Sequence, residues 1–385
     1  MTRWRFLQTG DLHVGRGRTA FGERVVLERT KRMFDVIFRE ASEQKCHAVL
    51  ITGDIFDTKT VTNSEREAVT RKLMQYAGRD GIPTYVIPGN HDLTTATSGN
   101  LDYLAEVATS GEVPNLHIAF SHTVEVWEAA PGLSVIGAPV GFSESQTWLD
   151  DYVAKLPNDR QYVFMGHGSI QGCVRNDAGW KPTMQEDSKR LSLANAAVLA
   201  PQIVWWAYGD IHKRQKLPTL PEGANGWYSG SPIQMDFGEQ PDRGALVIAL
   251  DHEAEGWKFA GRRYVRFDTP ENGFAPLVTI TDASQIESVP RDALIRIAKG
   301  VIIPSDRHQQ VVRDLKVVDD RSLPEVAGSP VTQGIEVFDP LLSDLAVVER
   351  EVLSGLSGKS EKTEAEAKKV VGLAVERYRE RTYVS

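Results

Sequence analysis

The chain has 385 residues, of which 41% are hydrophobic and 25% are charged, a composition expected of a soluble globular protein rather than a disordered or fibrous one. This length exceeds that of one usual core and predicts two or three domains. The formal net charge of −8 argues against a protein that coats nucleic acid through a global positive field, although it permits a local basic groove.

Three features of the sequence bear on the cellular compartment: the length of its apolar runs, its N-terminal segment and its cysteines. No apolar run in the sequence approaches the roughly 20 residues that a membrane-spanning helix needs. The chain moves directly into a strand-like run, WRFLQT, with no signal peptide before it. Cys46 and Cys173 form neither a C-x-x-C zinc pattern nor a disulfide framework. We therefore expect a cytoplasmic protein whose cysteines are small apolar filler.

Short apolar runs alternate with amphipathic stretches over the first two-thirds of the chain. The runs end in polar clusters, as in WRFLQTGDLH, HAVLITGDIFD, TYVIPGNHD, LSVIGAPVG, YVFMGHGS and IVWWAYGDIH. Apolar residues at helical spacing predict a helix between the first two runs. A second helix is predicted before the third run, with Asn63 or Ser64 as its N-cap and its end near Gly78 or Gly81. This alternation predicts an α/β sandwich with helices covering the sheets.

The pattern changes at about Trp227. The segments YSGSPIQMDFG, GALVIALDHE and WKFAGRRYVRF are predicted to be consecutive strands that complete the sheets. From about Pro270 a small strand–helix module is predicted, and from about Asp339 the sequence is typical of helices.

The ends of the predicted strands share one kind of chemistry. They carry carboxylates, imidazoles and an amide beside glycines that permit tight turns: Asp11, His13, Asp54, Asp57, Asn90, His91, Asp92, His167, Asp210 and His212. Alternate side chains of a strand face the same way, so each D-x-H pair can aim two ligands at one point. In α/β folds, polar residues at strand carboxyl ends gather at one edge, where ligands bind.

These residue types predict a metal site. Carboxylate, imidazole and amide oxygen suit Mn²⁺, Fe²⁺, Zn²⁺ or Mg²⁺. The candidates outnumber the ligands of one ion, which favours two ions about 3.5–4 Å apart that share a carboxylate and together activate water against a phosphate ester. Taken singly, a D-x-H motif after a strand is more often a turn or a cap than a pair of ligands, and GNHD alone could be a hairpin turn. Their recurrence at five strand ends favours the metal site.

The ordered series GDLH, GDIFD, GNHD, GH and GDIH resembles the motifs of the calcineurin-like metallophosphoesterases. FLQTGDLHVGR, WAYGDIHKRQ and YSGSPIQMDFGE further resemble the SbcD-type DNA repair exonuclease subunit. The resemblance implies a calcineurin-like β-sandwich flanked by helices, with a small α+β capping domain and C-terminal helices. It places a metallophosphoesterase nuclease domain at residues 1–268, a capping DNA-binding domain at 269–335 and a helical partner-binding region at 336–385.

Carried over residue by residue, the resemblance also implies roles. The metal ligands would be Asp11, His13 and His212 for the first ion, Asp54 as the bridge, and Asn90, His167 and Asp210 for the second ion. His91 would be the general acid that protonates the leaving oxygen, and Asp92 would orient His91 or its loop. Asp57 receives no firm role. Two divalent ions are implied, with Mn²⁺ expected and Mg²⁺ as the alternative.

Asp210 departs from the family pattern, which usually has histidine at this position. A carboxylate is a competent ligand for hard or borderline ions. Together with Asp11 and Asp54, however, it would neutralise a metal pair further, so that water is acidified less and selection shifts from Mn²⁺ toward Mg²⁺. An active enzyme and a weakened scaffold subunit both remain open.

The function expected from the resemblance is a metal-dependent DNA exonuclease and endonuclease, which processes double-stranded ends and hairpins in repair, recombination or phage replication. A generic dinuclear phosphoesterase acting on small phosphoesters is the alternative. Phosphate contacts with double-stranded DNA are expected from basic residues that flank the first and last motifs, namely Arg16, Arg18, Lys213 and Arg214.

Protein partners are implied as well. An apolar stripe in the C-terminal region, Leu341, Leu342, Leu345, Val348 and Leu353, would dock onto an SbcC-type SMC-like ATPase, although it could also pack within its own domain. A homodimer is expected from the resemblance, through the helices near residues 60–110.

Overall fold

The structure, a computed structural model, describes residues 2–175, 183–291, 293–303 and 316–320. All of them belong to the first of two units into which the chain divides, Met1–Glu325. The C-terminal helices predicted from Asp339 onward lie outside the described residues, as does the 304–315 part of the predicted strand–helix module.

Six strands form the first sheet: β1 (Thr2–Thr9), β2 (Ala48–Thr52), β3 (Thr84–Ile87), β4 (Leu116–Ile118), β11 (Gly244–Glu253) and β12 (Gly256–Arg266). Their spatial order is β12-β11-β1-β2-β3-β4. Strands β1 to β4 run parallel, whereas β11 is antiparallel to both of its neighbours. Because β2 and β3 are buried along their whole length, neither shows the alternation of a half-exposed strand.

The second sheet contains β5 (Glu125–Ala130), β6 (Leu133–Gly137), β7 (Gln161–His167), β8 (Ile203–Gly209), β9 (Gln215–Lys216) and β10 (Gly226–Tyr228), in the order β5-β6-β7-β8-β10-β9. Strands β6, β7, β8 and β10 are parallel. A third, parallel sheet is formed by β13 (Leu277–Ile280), β14 (Leu294–Ile297) and β15 (Lys316–Asp320).

The described helices are α1 (Arg18–Phe21), α2 (Glu23–Glu43), α3 (Asn63–Leu73), α4 (Asp102–Thr109), α5 (Val140–Ser143), α6 (Gln146–Val153), α7 (Met184–Asp187) and α8 (Ala194–Leu199). A π-helical turn, Met74–Arg79, extends α3, and a 3₁₀ helix spans Ala283–Ser288. Of these helices in the described part of the chain, none combines the length and the apolar character that a bilayer crossing needs.

Three buried clusters hold the layers together. Phe6 and Leu50 of the first sheet pack with Val163 and Trp205 of the second, which closes the sandwich. Helices α2, α3 and α4 cover the outer face of the first sheet, and α6 and α8 cover the outer face of the second. The apolar positions that predicted α2 are all buried: Val26, Met33, Phe34, Ile37 and Phe38. The predicted α/β sandwich flanked by helices is therefore confirmed.

Two predicted local features were wrong. The N-cap of α3 is Thr62, one residue before the predicted position, because its hydroxyl accepts from the Glu65 amide while the Glu65 carboxylate accepts from the Thr62 amide. In the segment YSGSPIQMDFG, predicted to be a strand, only Tyr228 belongs to one, and the rest is a loop. Its apolar side chains point to different clusters, since Ile233 joins the α2 side of the first sheet and Phe237 joins the third sheet.

Candidate metal centre

The predicted ligands lie where parallel strands of both large sheets end. Asp11 and His13 follow β1, Asp54 follows β2, His167 ends β7, and Asp210 follows β8. Asp11, His13, Asp54 and Asp210 have positive φ values of 54°, 41°, 51° and 101°. Residues other than glycine rarely adopt this conformation, and where they do, the surrounding structure holds the strain, often at functional sites. The strand ends are therefore shaped to aim these side chains.

Three overlapping groups of side chains could each hold a cation. They are Asp11, His13 and His212; His13, Asp54 and His91; and Asp11, Asp54 and His167, with the ligand atoms of each group within 4.8 Å of one another. Asp11 and Asp54 each belong to two groups, and so does His13. Shared members are what a pair of neighbouring ions requires.

The ring Nε2 atoms of the three predicted histidine ligands converge on the carboxylates. His13 Nε2 lies 2.9 Å from His212 Nε2 and 3.6 Å from Asp54 Oδ2. His167 Nε2 lies 3.5 Å from the same Asp54 oxygen. It also lies 3.0 Å from Asn90 Oδ1. Asp54 thus stands between the two halves of the site, as expected of a bridging ligand.

The opposite ring nitrogens of His167 and His212 are held by hydrogen bonds, whereas that of His13 lies at ion-pair distance from a carboxylate without a hydrogen bond. His167 Nδ1 donates to the main-chain oxygen of Thr52 at 2.8 Å. His13 Nδ1 lies 3.2 Å from Asp57 Oδ1, and His212 Nδ1 lies 2.6 Å from Glu239 Oε1. A proton held on Nδ1 leaves the Nε2 lone pair free to ligate a metal, the arrangement that fixes histidine ligands in metalloproteins.

The buried charges at the centre perturb one another strongly. Burial opposes ionisation of Asp54, but the His167 and His13 rings outweigh burial and lower the pKa of Asp54. Burial likewise opposes protonation of His167, yet Asp54 outweighs it and holds the pKa of His167 well above its usual value. Without a cation, a proton on the His167 ring therefore offsets part of the negative charge of the carboxylates.

Asp11 shows that these residues fit a cation. Its carboxylate is completely buried, and burial raises its pKa. Oδ1 accepts a hydrogen bond from the Asp210 amide at 2.9 Å, whereas Oδ2 has no hydrogen-bond partner among the described residues. A buried carboxylate oxygen without a donor is costly unless a positive charge lies beside it. A divalent ion would satisfy this oxygen.

Asp210 lies at the centre but is directed differently from the other predicted ligands. Its Oδ2 accepts a hydrogen bond from Ser169 Oγ at 2.6 Å. It belongs to none of the three groups found among the described residues. Its carboxylate still influences the site, since it contributes to raising the pKa of Glu144 and His167. Its role as a ligand stays a prediction.

His91 and Asp92 occupy distinct positions. The His91 ring lies edge-on to His13 with 4.9 Å between ring centroids, and its Nδ1 contacts the main-chain oxygen of Asp57 at 2.5 Å. The Asp92 carboxylate accepts from the amides of Ile55, Phe56 and Gly89 at 3.1, 2.9 and 2.9 Å. Asp92 was expected to orient either the His91 ring or the loop that carries it, and its contacts are with main-chain amides of the loops. Burial, followed by the charge of Asp54, raises the pKa of Asp92 to about 7.

The basic residues predicted to contact DNA lie near the site, and three are already paired. Arg16 Nη1 lies 3.1 Å from Asp57, and Arg18 Nη2 lies 3.4 Å from Glu65. Arg214 lies 3.3 Å from an Asp242 oxygen and packs over the Tyr264 ring. Lys213 is partly exposed. Their contact with a phosphate backbone stays a prediction.

Residues that support the ligands were missed at the sequence level. Glu239 holds His212, Ser169 holds Asp210, and Ser143 exchanges hydrogen bonds with the main chain of His167 at 2.8 and 3.0 Å. Asp57, which received no role, lies 3.2 Å from His13 Nδ1. Ser169 and Asp57 lie within three residues of a motif histidine or aspartate, which was an available signal. Glu239 lies 27 residues from His212, so spacing gave no sign of it.

This chain is similar to several known proteins. The uncharacterized protein R555 of Acanthamoeba polyphaga mimivirus is 24% identical to this chain over 235 residues. The alignment covers 60% of this chain but only 16% of the length of R555. A dimetal phosphatase from Danio rerio is similar in structure, with 11% identity, a TM-score of 0.43, and 68% of this chain and 98% of that chain covered. The calcineurin-like phosphoesterase YfkN from Bacillus subtilis gives 12% identity, a TM-score of 0.39, and coverage of 68% and 90%.

A family model provides the assignment. The model described as calcineurin-like phosphoesterase matches residues 5–220. That range contains every predicted metal ligand, from Asp11 to His212. Because the match spans more than half of the chain, this protein belongs to the calcineurin-like phosphoesterase family.

Proposed function

We propose that this chain is a metal-dependent phosphodiesterase that cleaves DNA, the SbcD-type nuclease subunit of an SbcCD-like complex. The convergence of Asp11, Asp54 and His167 at the strand ends carries the proposal, because a metal-dependent phosphoesterase needs such ligands close together. The motif series that resembles SbcD-type nucleases supports DNA as the substrate. Processing of double-stranded ends and hairpins in repair, recombination or phage replication would be its role.

Two divalent ions, Mn²⁺ by preference and Mg²⁺ as the alternative, would be held by the predicted ligands. The first site would use Asp11, His13 and His212, with Asp54 shared. The second would use His167 and Asp210 with Asn90, whose Oδ1 lies 3.0 Å from His167 Nε2. The ions would supply Lewis acidity toward the phosphate and lower the pKa of attacking water.

The chain's own residues would supply orientation and a proton. His91 would act as general acid at the leaving oxygen, since its ring lies beside His13 and its Nδ1 is anchored on the Asp57 carbonyl. Asp92 would act by holding the loops that carry Asp54 and His91. In a His91→Ala variant, cleavage should fall below detection while Mn²⁺ binding persists; retained turnover would remove His91 from the mechanism.

Phosphate-backbone contacts would come from Arg16, Arg18, Lys213 and Arg214.

A second candidate function, hydrolysis of small phosphoesters, is favoured by one observation. Arg16 and Arg18 already pair with Asp57 and Glu65, so their charge is partly satisfied within the chain. DNA binding would require these ion pairs to rearrange, whereas a small substrate would not.

A direct comparison of substrates separates the two functions. The full chain with Mn²⁺ is given linear duplex DNA and nitrophenyl phosphate in parallel, with His91→Ala as the matched inactive control. Cleavage of the duplex that exceeds monoester hydrolysis supports the nuclease. Efficient monoester hydrolysis with intact duplex supports the small-substrate enzyme.

The partners belong to the same proposal. We infer that residues 336–385 bind an SbcC-type SMC-like ATPase through their apolar stripe, that residues 269–335 cap the DNA, and that two copies associate through the helices within residues 60–110. The setting would be the reducing cytoplasm, where Cys46 and Cys173 remain thiols, as they are in the structure.

A further inference from the structure

A loop that follows β10 closes around His212. The Glu239 carboxylate meets the ring, with Oε1 2.6 Å from His212 Nδ1. Two further contacts hold the His212 main chain, since its carbonyl accepts from the Ser231 amide at 3.1 Å and from the Arg243 guanidinium. The segment therefore fixes both the backbone and the ring of this histidine.

Glu239 is itself held rigidly. Its side chain is only 14% exposed, and Oε2 accepts from the Met235 amide at 2.8 Å. Gln234 donates to the Glu239 carbonyl at 2.6 Å and pairs with the main chain of Leu277 through two hydrogen bonds of 2.9 Å. The loop is thus anchored to the first strand of the third sheet, and the position of the carboxylate does not depend on His212 alone.

The Glu239 contact determines which ring nitrogen of His212 carries the proton. A carboxylate can only accept, so the bond requires the proton on Nδ1. Nε2 is then directed toward His13 Nε2, 2.9 Å away, and toward Asp11, the other member of that group. Glu239 therefore lies on the side of the ring opposite the nitrogen that faces the site. Such partners strengthen a histidine as a metal ligand.

We propose that Glu239 is the positioning residue for His212, fixing its tautomer and ring orientation so that Nε2 completes the cation site formed with Asp11 and His13. The proposal deepens the proposed function, on whose metal site it rests. Glu239 touches neither the centre nor any reacting atom, and it acts through the His212 ring.

The test measures Mn²⁺ binding by the full chain, by titration followed with electron paramagnetic resonance. Glu239→Ala should weaken one of the two Mn²⁺ sites by about 10–100-fold and leave the site at Asp54 and His167 unchanged. Glu239→Gln, nearly the same in shape, should lose less because its amide oxygen still accepts. Asp242→Asn is the control, since it removes a carboxylate from the same loop that pairs with Arg214 rather than with His212.

A second measurement reports on the ring without metal. Nitrogen-15 NMR of the metal-free full chain, at a pH where the His212 ring is neutral, should show the proton on Nδ1 in the wild type and in Asp242→Asn, and a mixture of tautomers in Glu239→Ala. If Glu239→Ala folds poorly, Glu239→Leu, which keeps the side-chain volume but removes the acceptor, replaces it in the same two measurements. Unchanged Mn²⁺ affinity together with an unchanged His212 tautomer would overturn the proposal. If the wild-type chain binds Mn²⁺ normally but does not cleave DNA, the proposal that DNA is the substrate is wrong, and the proposed role of Glu239 is unaffected.

Discussion

Each of the three histidine ligands predicted from motifs has a protein group close to its Nδ1 atom, and these groups are not all of one chemical type. A main-chain carbonyl holds His167, whereas carboxylates lie behind His13 and His212. The motif spacing could predict the ligands because each is within two residues of an aspartate or glycine at a strand end. It could not predict Glu239, which meets His212 only after the chain has passed through β9 and β10.

Binding of Mn²⁺ should release protons. Asp54 holds the pKa of His167 well above its usual value of about 6.5, so the ring is protonated near neutral pH in the metal-free chain. A metal ligand must be neutral at the coordinating nitrogen, so Mn²⁺ affinity should fall as pH falls through this raised pKa and rise above it. Calorimetric titrations in buffers of different ionisation enthalpy measure the release. Equal heats in all buffers would contradict the assignment of His167.

Replacement of the unusual carboxylate tests whether the native site is weakened. In Asp210→His, one negative charge is removed and the usual family residue is restored. We expect Mn²⁺-dependent turnover to rise by less than about tenfold. Tenfold is the lower limit of the changes in metal affinity or activity that usually follow mutation of a residue beside a metal ligand. Turnover of the wild type and the variant at saturating Mn²⁺ gives the ratio. A far larger gain would identify the wild-type chain as a weakened scaffold subunit.

At the scale of elements, the sequence predicted the strands that supply ligands and misassigned the segment that supports them. The residues Ile233, Met235 and Phe237 repeat with a period of two, which is the pattern of a strand. They form a loop because the Gln234 side chain, rather than a neighbouring strand, pairs with the Leu277 backbone. Short-range periodicity contains no information about such a long-range contact.

Asp92 joins two of the strand-end loops, and its removal should destabilise both. In Asp92→Ala, the amides of Ile55, Phe56 and Gly89 lose their acceptor in a buried environment, at about 1–3 kcal/mol each. The free energy of unfolding should therefore fall by at least ~3 kcal/mol, as measured by urea denaturation. Asp159→Ala, which removes an exposed carboxylate, is the control. Equal stability of the two variants would refute this role.

At the scale of the whole molecule, folding brings together residues that are far apart in the sequence. The Asp210 amide reaches the Asp11 carboxylate across 199 positions, because β1 and β8 lie in facing sheets. Buried Gln8 joins the same sheets, accepting from Trp205 Nε1 at 2.9 Å and donating to the Trp227 carbonyl at 2.8 Å. The sequence predicted the two layers. Which strands of one sheet lie opposite which strands of the other depends on these side-chain contacts, which the sequence pattern does not show.

The C-terminal region offers a test of the proposed complex that leaves the metal site untouched. In the full chain, replacing Leu345 and Val348 with aspartate would place charge in the predicted apolar stripe. Co-purification with an SbcC-type ATPase should be lost, because burial of an unpaired carboxylate is strongly unfavourable. Mn²⁺ binding should be unchanged and serves as the internal control. Undiminished co-purification would show that the stripe is not the docking surface.

We infer that separate strand ends of the two sheets enclose a pair of divalent cations. Crystals of the full chain soaked in Mn²⁺ and measured at the manganese absorption edge test it most directly. We expect two anomalous peaks that share Asp54, one contacted by Asp11, His13 and His212 and the other by His167 and Asn90. An absence of anomalous density among Asp11, Asp54 and His167 would contradict it.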